Sequence, residues 1–145
     1  MLLGMTPADR QTRLAQEILR FEDPQERLSF VQDRVRRKPP LPEALRTEAN
    51  LVKGCMTRVW LASSLSEGRC TFEVDAESAM VRALASLVAE PFSGTTPQEA
   101  LEFDCRILQA CGLETRITPT RRHGLAQVEG AIRAFARSNL SGPLP

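Results

Sequence analysis

The chain has 145 residues, a hydrophobic content of 42%, a charged content of 26% and a formal net charge of +1. This length suits one domain with a real core, here 1–145 with a few loose N-terminal residues and a loose tail over 139–145. The basic residues are spread along the chain rather than clustered, which argues against a nucleic-acid-binding surface.

The apolar start Met1-Leu2-Leu3-Gly4-Met5 is too short for a signal peptide, and no apolar run approaches membrane-spanning length, so a cytoplasmic protein is expected. In that compartment Cys55, Cys70, Cys105 and Cys111 are expected as thiols.

Thr6-Pro7-Ala8-Asp9 reads as a helix start, with Thr6 as N-cap and proline at the first helical position. Leu14, Ile18 and Phe21 would form its apolar face. Asp23-Pro24 opens a second helix in the same way, with Leu28, Val31 and Val35 as its stripe and Arg34, Arg36 and Arg37 near its C-terminus. Lys38-Pro39-Pro40-Leu41-Pro42 cannot be helical and reads as a stiff extended connector. One helical turn is expected at Pro42–Arg46.

Thr57–Leu61 is rich in β-branched and aromatic residues, and a strand is expected over Arg58–Ser63. Ser66-Glu67-Gly68 is a turn signal, and Cys70–Asp75 alternates with Cys70, Phe72 and Val74 on one face. The two strands should form an antiparallel hairpin. Since a lone hairpin is marginal, Leu51–Lys53 is expected as a third strand. Glu77–Ala89 reads as a helix burying Met80, Leu84, Leu87 and Val88, and Pro91 ends it. Thr96-Pro97-Gln98-Glu99 carries a capping-box pattern, and a short helix is expected at Asp104–Ala110. Thr118-Pro119 opens the last helix, whose stripe is Leu125, Val128, Ile132 and Phe135.

Candidate chemistry centres on Leu51–Trp60. Cys55 follows Gly54, which lets the backbone turn tightly and leaves space around the sulfur. Lys53 and Arg58 are cations that would favour the thiolate. The alternative is that Cys55 is simply a small buried hydrophobe. The cysteines lack metal-site spacing, so no metal is expected, and Cys70, Cys105 and Cys111 are assigned to packing. His123, the single histidine, receives no role. Arg121 and Arg122 oppose the dipole at a helix N-terminus, which fits cations facing an anion or an acidic partner as well as it fits two solvated arginines.

Two separated motifs carry a family resemblance. Val52-x-Gly54-Cys55-x-Thr57-x-Val59-Trp60 resembles the cysteine loop of the SufE family, and Thr118-Pro119-x-Arg121-x-x-Gly124-Leu125 is similar to that family's last helix start. Phe72-x-Val74-Asp75, Val81-Arg82-Ala83-Leu84 and Thr96-Pro97-Gln98-Glu99 also fall in the family's order. Thr57 stands where the family usually has serine, Lys53 where it is often uncharged, and Ala83 where glycine is frequent.

The resemblance implies an α+β fold, a small antiparallel sheet of about three strands packed against several helices, shared with IscU-type scaffold proteins. It implies a sulfur acceptor that takes persulfide sulfur onto Cys55 from a SufS-like cysteine desulfurase, stimulates that enzyme, and passes sulfur to a downstream iron–sulfur scaffold. Lys53, Gly54, Thr57, Arg58, Asp75 and Arg121 are the residues expected to support Cys55 or to bind the partner. No cofactor is expected on this chain, since pyridoxal phosphate belongs to the desulfurase, and a monomer is expected. A cysteine-based cluster scaffold and a regulatory desulfurase-binding protein that accepts no sulfur are the alternatives.

Overall fold

A computed structural model describes residues 5–140. The expected loose ends lie outside these residues, apart from Met5 at one end and, at the other, Asn139 and Leu140. Asn139 closes the last helix by donating its side-chain amide to the Phe135 carbonyl at 2.8 Å.

Helices α1 (Pro7–Ile18) and α2 (Pro24–Arg36) precede a hairpin of β1 (Val59–Ser66) and β2 (Arg69–Ala76), and α3 (Ala79–Ala89), α4 (Pro97–Glu102), α5 (Ile107–Ala110) and α6 (Pro119–Ser138) complete the chain. The Thr-Pro starts behave as the sequence indicates. Thr6 and Asp9 exchange side-chain and backbone hydrogen bonds at 3.0 and 3.1 Å, and Thr96 and Glu99 do the same at 3.1 and 2.8 Å. Thr118 Oγ1 accepts from the Arg121 N–H at 3.2 Å, which fixes where α6 begins. Helix α1 stops at Ile18, so Phe21 leaves its stripe and packs on Phe30 with ring centroids 5.1 Å apart.

The strands pair antiparallel from Val59↔Ala76 to Ser66↔Arg69. Their two-residue turn, Glu67-Gly68, has φ of +52° and +76°, the positive values that match the twist of a tight hairpin. The sheet has two strands, not three. Asn50 still belongs to a single 3₁₀ turn, and Gly54 bends the chain away at φ +88°. Only Leu51 and Val52 are therefore left to extend, giving one bridge from Leu51 to Trp60 and one hydrogen bond from Val52 N to Val59 O at 2.8 Å. The other edge of the hairpin is covered by the segment after α3, through Cys70 N to Thr95 O and Gly94 N to Cys70 O, both 2.7 Å. Helix α3 lies across β2 and contacts α2 and α6, so one core joins Ile18, Val31, Val59, Leu84, Phe92, Leu113 and Ile132. The segment expected to be helical from Asp104 is extended at first, and α5 is one turn at Ile107–Ala110. Arg133 of α6 instead ties down this region by donating to the carbonyls of Ala100, Leu101 and Phe103.

The proline connector is held by Asp75, which is only 2% exposed. Its carboxylate accepts from the Leu41 N–H and from Arg46 Nε, each at 3.1 Å, and a second Arg46 nitrogen also donates to it. Arg46 in turn lies over the Trp60 ring, 5.3 Å from the centroid. Arg82 approaches Asp75 at 3.5 Å and donates to the carbonyls of Lys38 and Pro39. Burial alone would push the Asp75 carboxyl up, but the Arg46 hydrogen bond and the backbone donors of Ala76 and Leu41 outweigh it and hold the group below its usual range.

A depressed carboxyl pKa contributes stability above the ordinary carboxylate range, and that stability is lost as pH falls through the folded-state value. Asp75→Ala should therefore cost about 2–3 kcal/mol at neutral pH, less than the ~3–5 of a fully buried pair because Arg46 stays partly in water. Chemical denaturation at pH 7 and near pH 3 checks this, with the gap between wild type and variant expected to narrow in acid.

Candidate functional site

The cysteine loop runs between two clamps. Its neck is the Val52–Val59 hydrogen bond, and its far side is tied to the start of α3, where Arg58 N donates to Glu77 Oε1 at 3.2 Å and Glu77 N donates to Arg58 O at 3.1 Å. Between these clamps the Lys53–Thr57 backbone turns at Gly54. A Cβ at Gly54 would be strained by the positive φ and would meet Gln127 Cγ at 3.1 Å.

Cys55 points inward, and its thiol donates to the Gly124 carbonyl at 3.5 Å. Gly124 lies in the second turn of α6, and a Cβ built on it would fall 3.5 Å from Cys55 Sγ. That is an ordinary van der Waals distance, so the loop packs closely against the helix at Gly124 without a steric demand for glycine there. Behind the thiol is a cavity of about 320 Å³ whose floor is Val59, Val81, Leu84, Leu125 and Val128 and whose rim carries Ser78, Thr118 and Arg121. A second hollow, formed by Gly54, Met56, Pro119, Thr120 and His123, adjoins the other side of Cys55.

The sequence candidates divide between two places. Gly54, Cys55, Thr57 and Arg121 meet at the cavity and its adjoining hollow. Lys53 and Arg58 flank them with exposed side chains. Asp75 is not among the lining residues and serves the connector instead. The expected effect of Lys53 and Arg58 on the thiol is not realised in this conformation. Burial pushes the Cys55 thiol above its ordinary value, and no cation offsets it. Both flanking charges sit in water, where screening weakens them. At rest Cys55 is thus a protonated, half-buried thiol.

The other cysteines are less available. Cys70 and Cys111 are buried, and burial pushes the Cys105 and Cys111 thiols up to about 11 and about 12. Among the described residues no three His, Cys, Asp or Glu side chains gather in a way that would hold a metal ion, and no helix is long and apolar enough to cross a membrane. Sequence reasoning missed Met56, Gln127 and the floor residues Val81 and Leu84. Gly124 was visible in its motif, but the hydrogen bond from Cys55 to its carbonyl was not.

If burial controls the thiol, the alkylation rate of Cys55 in the free protein should still be rising above the ordinary cysteine value of about 8.5. Site-resolved mass spectrometry across pH 6–10 measures it. An inflection below about 8 would mean that Lys53 or Arg58 holds a thiolate after all.

Comparison with known proteins finds similar sequences and a similar fold. The chain is 28% identical over 129 residues to an uncharacterized SufE-like protein of Synechocystis sp., covering 87% of this chain and 81% of that one. Its fold matches the solution structure of a hypothetical protein from Thermus thermophilus with a TM-score of 0.68 and 24% identity, over 86% of this chain and 93% of the other. The SufE family description, Fe-S metabolism associated domain, matches residues 12–136, which include the cysteine loop, the cavity and the whole α6 start. The chain belongs to the SufE family of Fe-S metabolism associated domains.

Proposed function

We propose that this protein carries persulfide sulfur in the cytoplasm, as a monomer, from a pyridoxal-phosphate cysteine desulfurase to iron–sulfur cluster assembly, and that it stimulates the desulfurase by removing the sulfur. The observation that carries this reading is the seating of Cys55 in a SufE-family loop, at the mouth of an apolar cavity and beside a glycine that can turn.

The reaction needs no oxidant. Cys55, as thiolate, attacks the outer sulfur of the partner's cysteine persulfide. The sulfur–sulfur bond in the partner breaks, its electron pair stays on the partner's cysteine as a thiolate, and a new sulfur–sulfur bond forms on Cys55. The proton released by Cys55 balances the one taken up by the departing thiolate. Pyridoxal phosphate, bound to the partner, supplies the earlier carbon–sulfur chemistry.

A persulfide is readily reduced or passed to the wrong thiol, so a carrier benefits from shelter. The apolar floor of the cavity gives it, since charged, hydrophilic reductants are disfavoured against that surface. Transfer needs the opposite, a sulfur that reaches into another active site. The loop therefore has two states, closed in the free protein and turned outward in the complex, with Gly54 as the turning point. Arg121, exposed on the cavity rim, contacts the partner or steadies the thiolate once it leaves shelter.

Incubation with a desulfurase and free cysteine, followed by intact-mass measurement, should add sulfur to the wild-type chain and none to a folded Cys55→Ser variant. Sulfur gain at wild-type level in that variant would move the acceptor to another cysteine. Stimulation without sulfur gain in the wild type would favour a purely regulatory protein, and about one bound metal lost on Cys55 substitution would favour a scaffold. Arg121→Ala should slow transfer about fivefold, the size of one exposed charge contact, with unchanged unfolding.

A further inference from the structure

Met56 is the one side chain of the loop whose placement the transfer chemistry leaves unexplained. It is 86% exposed, against 44% for Leu19, 42% for Leu65 and 38% for Leu45, the other large hydrophobics on the surface among the described residues. It follows Cys55 directly and, like Cys55, already lines the cavity mouth. Among the described residues no side chain hydrogen-bonds to the Met56 backbone, and Cys55 is held by a single long thiol contact.

We infer that Met56 is a positioning residue that exchanges places with Cys55, entering the cavity when the thiol turns out. The inference rests on reading Cys55 as a sulfur carrier, because only then must the thiol leave its shelter. Cys55 and Met56 are neighbours between the turn at Gly54 and the bend at Met56 and Thr57, and both line the cavity, so a backbone rotation at Gly54 that carries Cys55 outward also moves Met56 relative to the cavity.

The cavity has the size and chemistry for this. Its 320 Å³ is about ten times the share of one water in the liquid, far more than a thiol needs. The floor of Val59, Val81, Leu84, Leu125 and Val128 is wholly apolar, and an unbranched thioether adapts to an irregular hollow. If Cys55 left alone, that floor would open to water. With Met56 in its place the floor stays covered, and the loop loses its most exposed apolar surface. Burial of Met56 offsets the loss of the buried thiol, which lowers the cost of turning Cys55 out. A partner then needs a smaller difference in affinity to shift the population.

The test uses the free protein. With methyl-labelled methionine, the Met56 signal is identified by its loss in Met56→Leu. A soluble paramagnetic agent should broaden it strongly at rest. After Cys55 is modified with an anionic sulfonate disulfide reagent, whose charge cannot enter the cavity, the broadening should fall by about threefold or more. Unchanged broadening would overturn the exchange. As a second arm, Met56→Glu places a charge that cannot be buried. Cys55 labelling in the free protein should slow about tenfold, while Met56→Leu should stay within about twofold of wild type. A Met56→Glu variant that labels at the wild-type rate but binds an inactive desulfurase more weakly would instead make Met56 a partner anchor and overturn the proposal. Both arms are independent of sulfur transfer, so absence of sulfur gain by the wild type would count against the carrier function and not against the exchange.

Discussion

The site depends on one contact, the seating of Cys55 on the backbone of α6 at Gly124. The thiol reaches the helix carbonyl at 3.5 Å from a loop that turns at Gly54, where the positive φ and the closeness of Gln127 disfavour any side chain. Everything else serves to hold the two surfaces together. The Thr118 cap sets the start of α6, the hydrogen bond from Val52 to Val59 closes the loop neck, and Glu77 ties the loop's exit to α3. The Asp75 cluster works from the far side. It locks the proline connector onto β2 through Leu41 and Arg46, and Arg46 covers Trp60, the residue that bridges to Leu51.

Burial alone moves the Cys55 thiol at rest, upward, with no flanking cation offsetting it. Lys53 and Arg58 are exposed on either side of the loop and Arg121 lies on the cavity rim, yet burial raises the thiol above its ordinary value. In the proposed docked state the thiol leaves its burial, and its desolvation penalty falls.

Much of this was legible in the chain because the signals are local. Proline after threonine marked the starts of α1, α4 and α6, strict alternation marked β2, and glycine before cysteine marked the loop. What stayed hidden is non-local. The third strand failed because a 3₁₀ turn and the Gly54 bend consume the residues on either side of Leu51 and Val52. The role of Asp75 depends on Arg46, a residue 29 positions away, and on the connector folding back. The sign of the Cys55 shift needed its burial, which spacing alone does not provide. Met56 lies beside the nucleophile in the sequence, but only the cavity next to it gives its exposure a meaning.

The central claim is that Cys55 is sheltered alone and presented on docking. The most direct measurement is the rate at which a small thiol reagent labels Cys55 in the free protein and in its complex with a catalytically inactive desulfurase. The account predicts slow labelling when free and labelling at least about tenfold faster in the complex. Equal rates in the two states would contradict it, even if Cys55 still accepted sulfur.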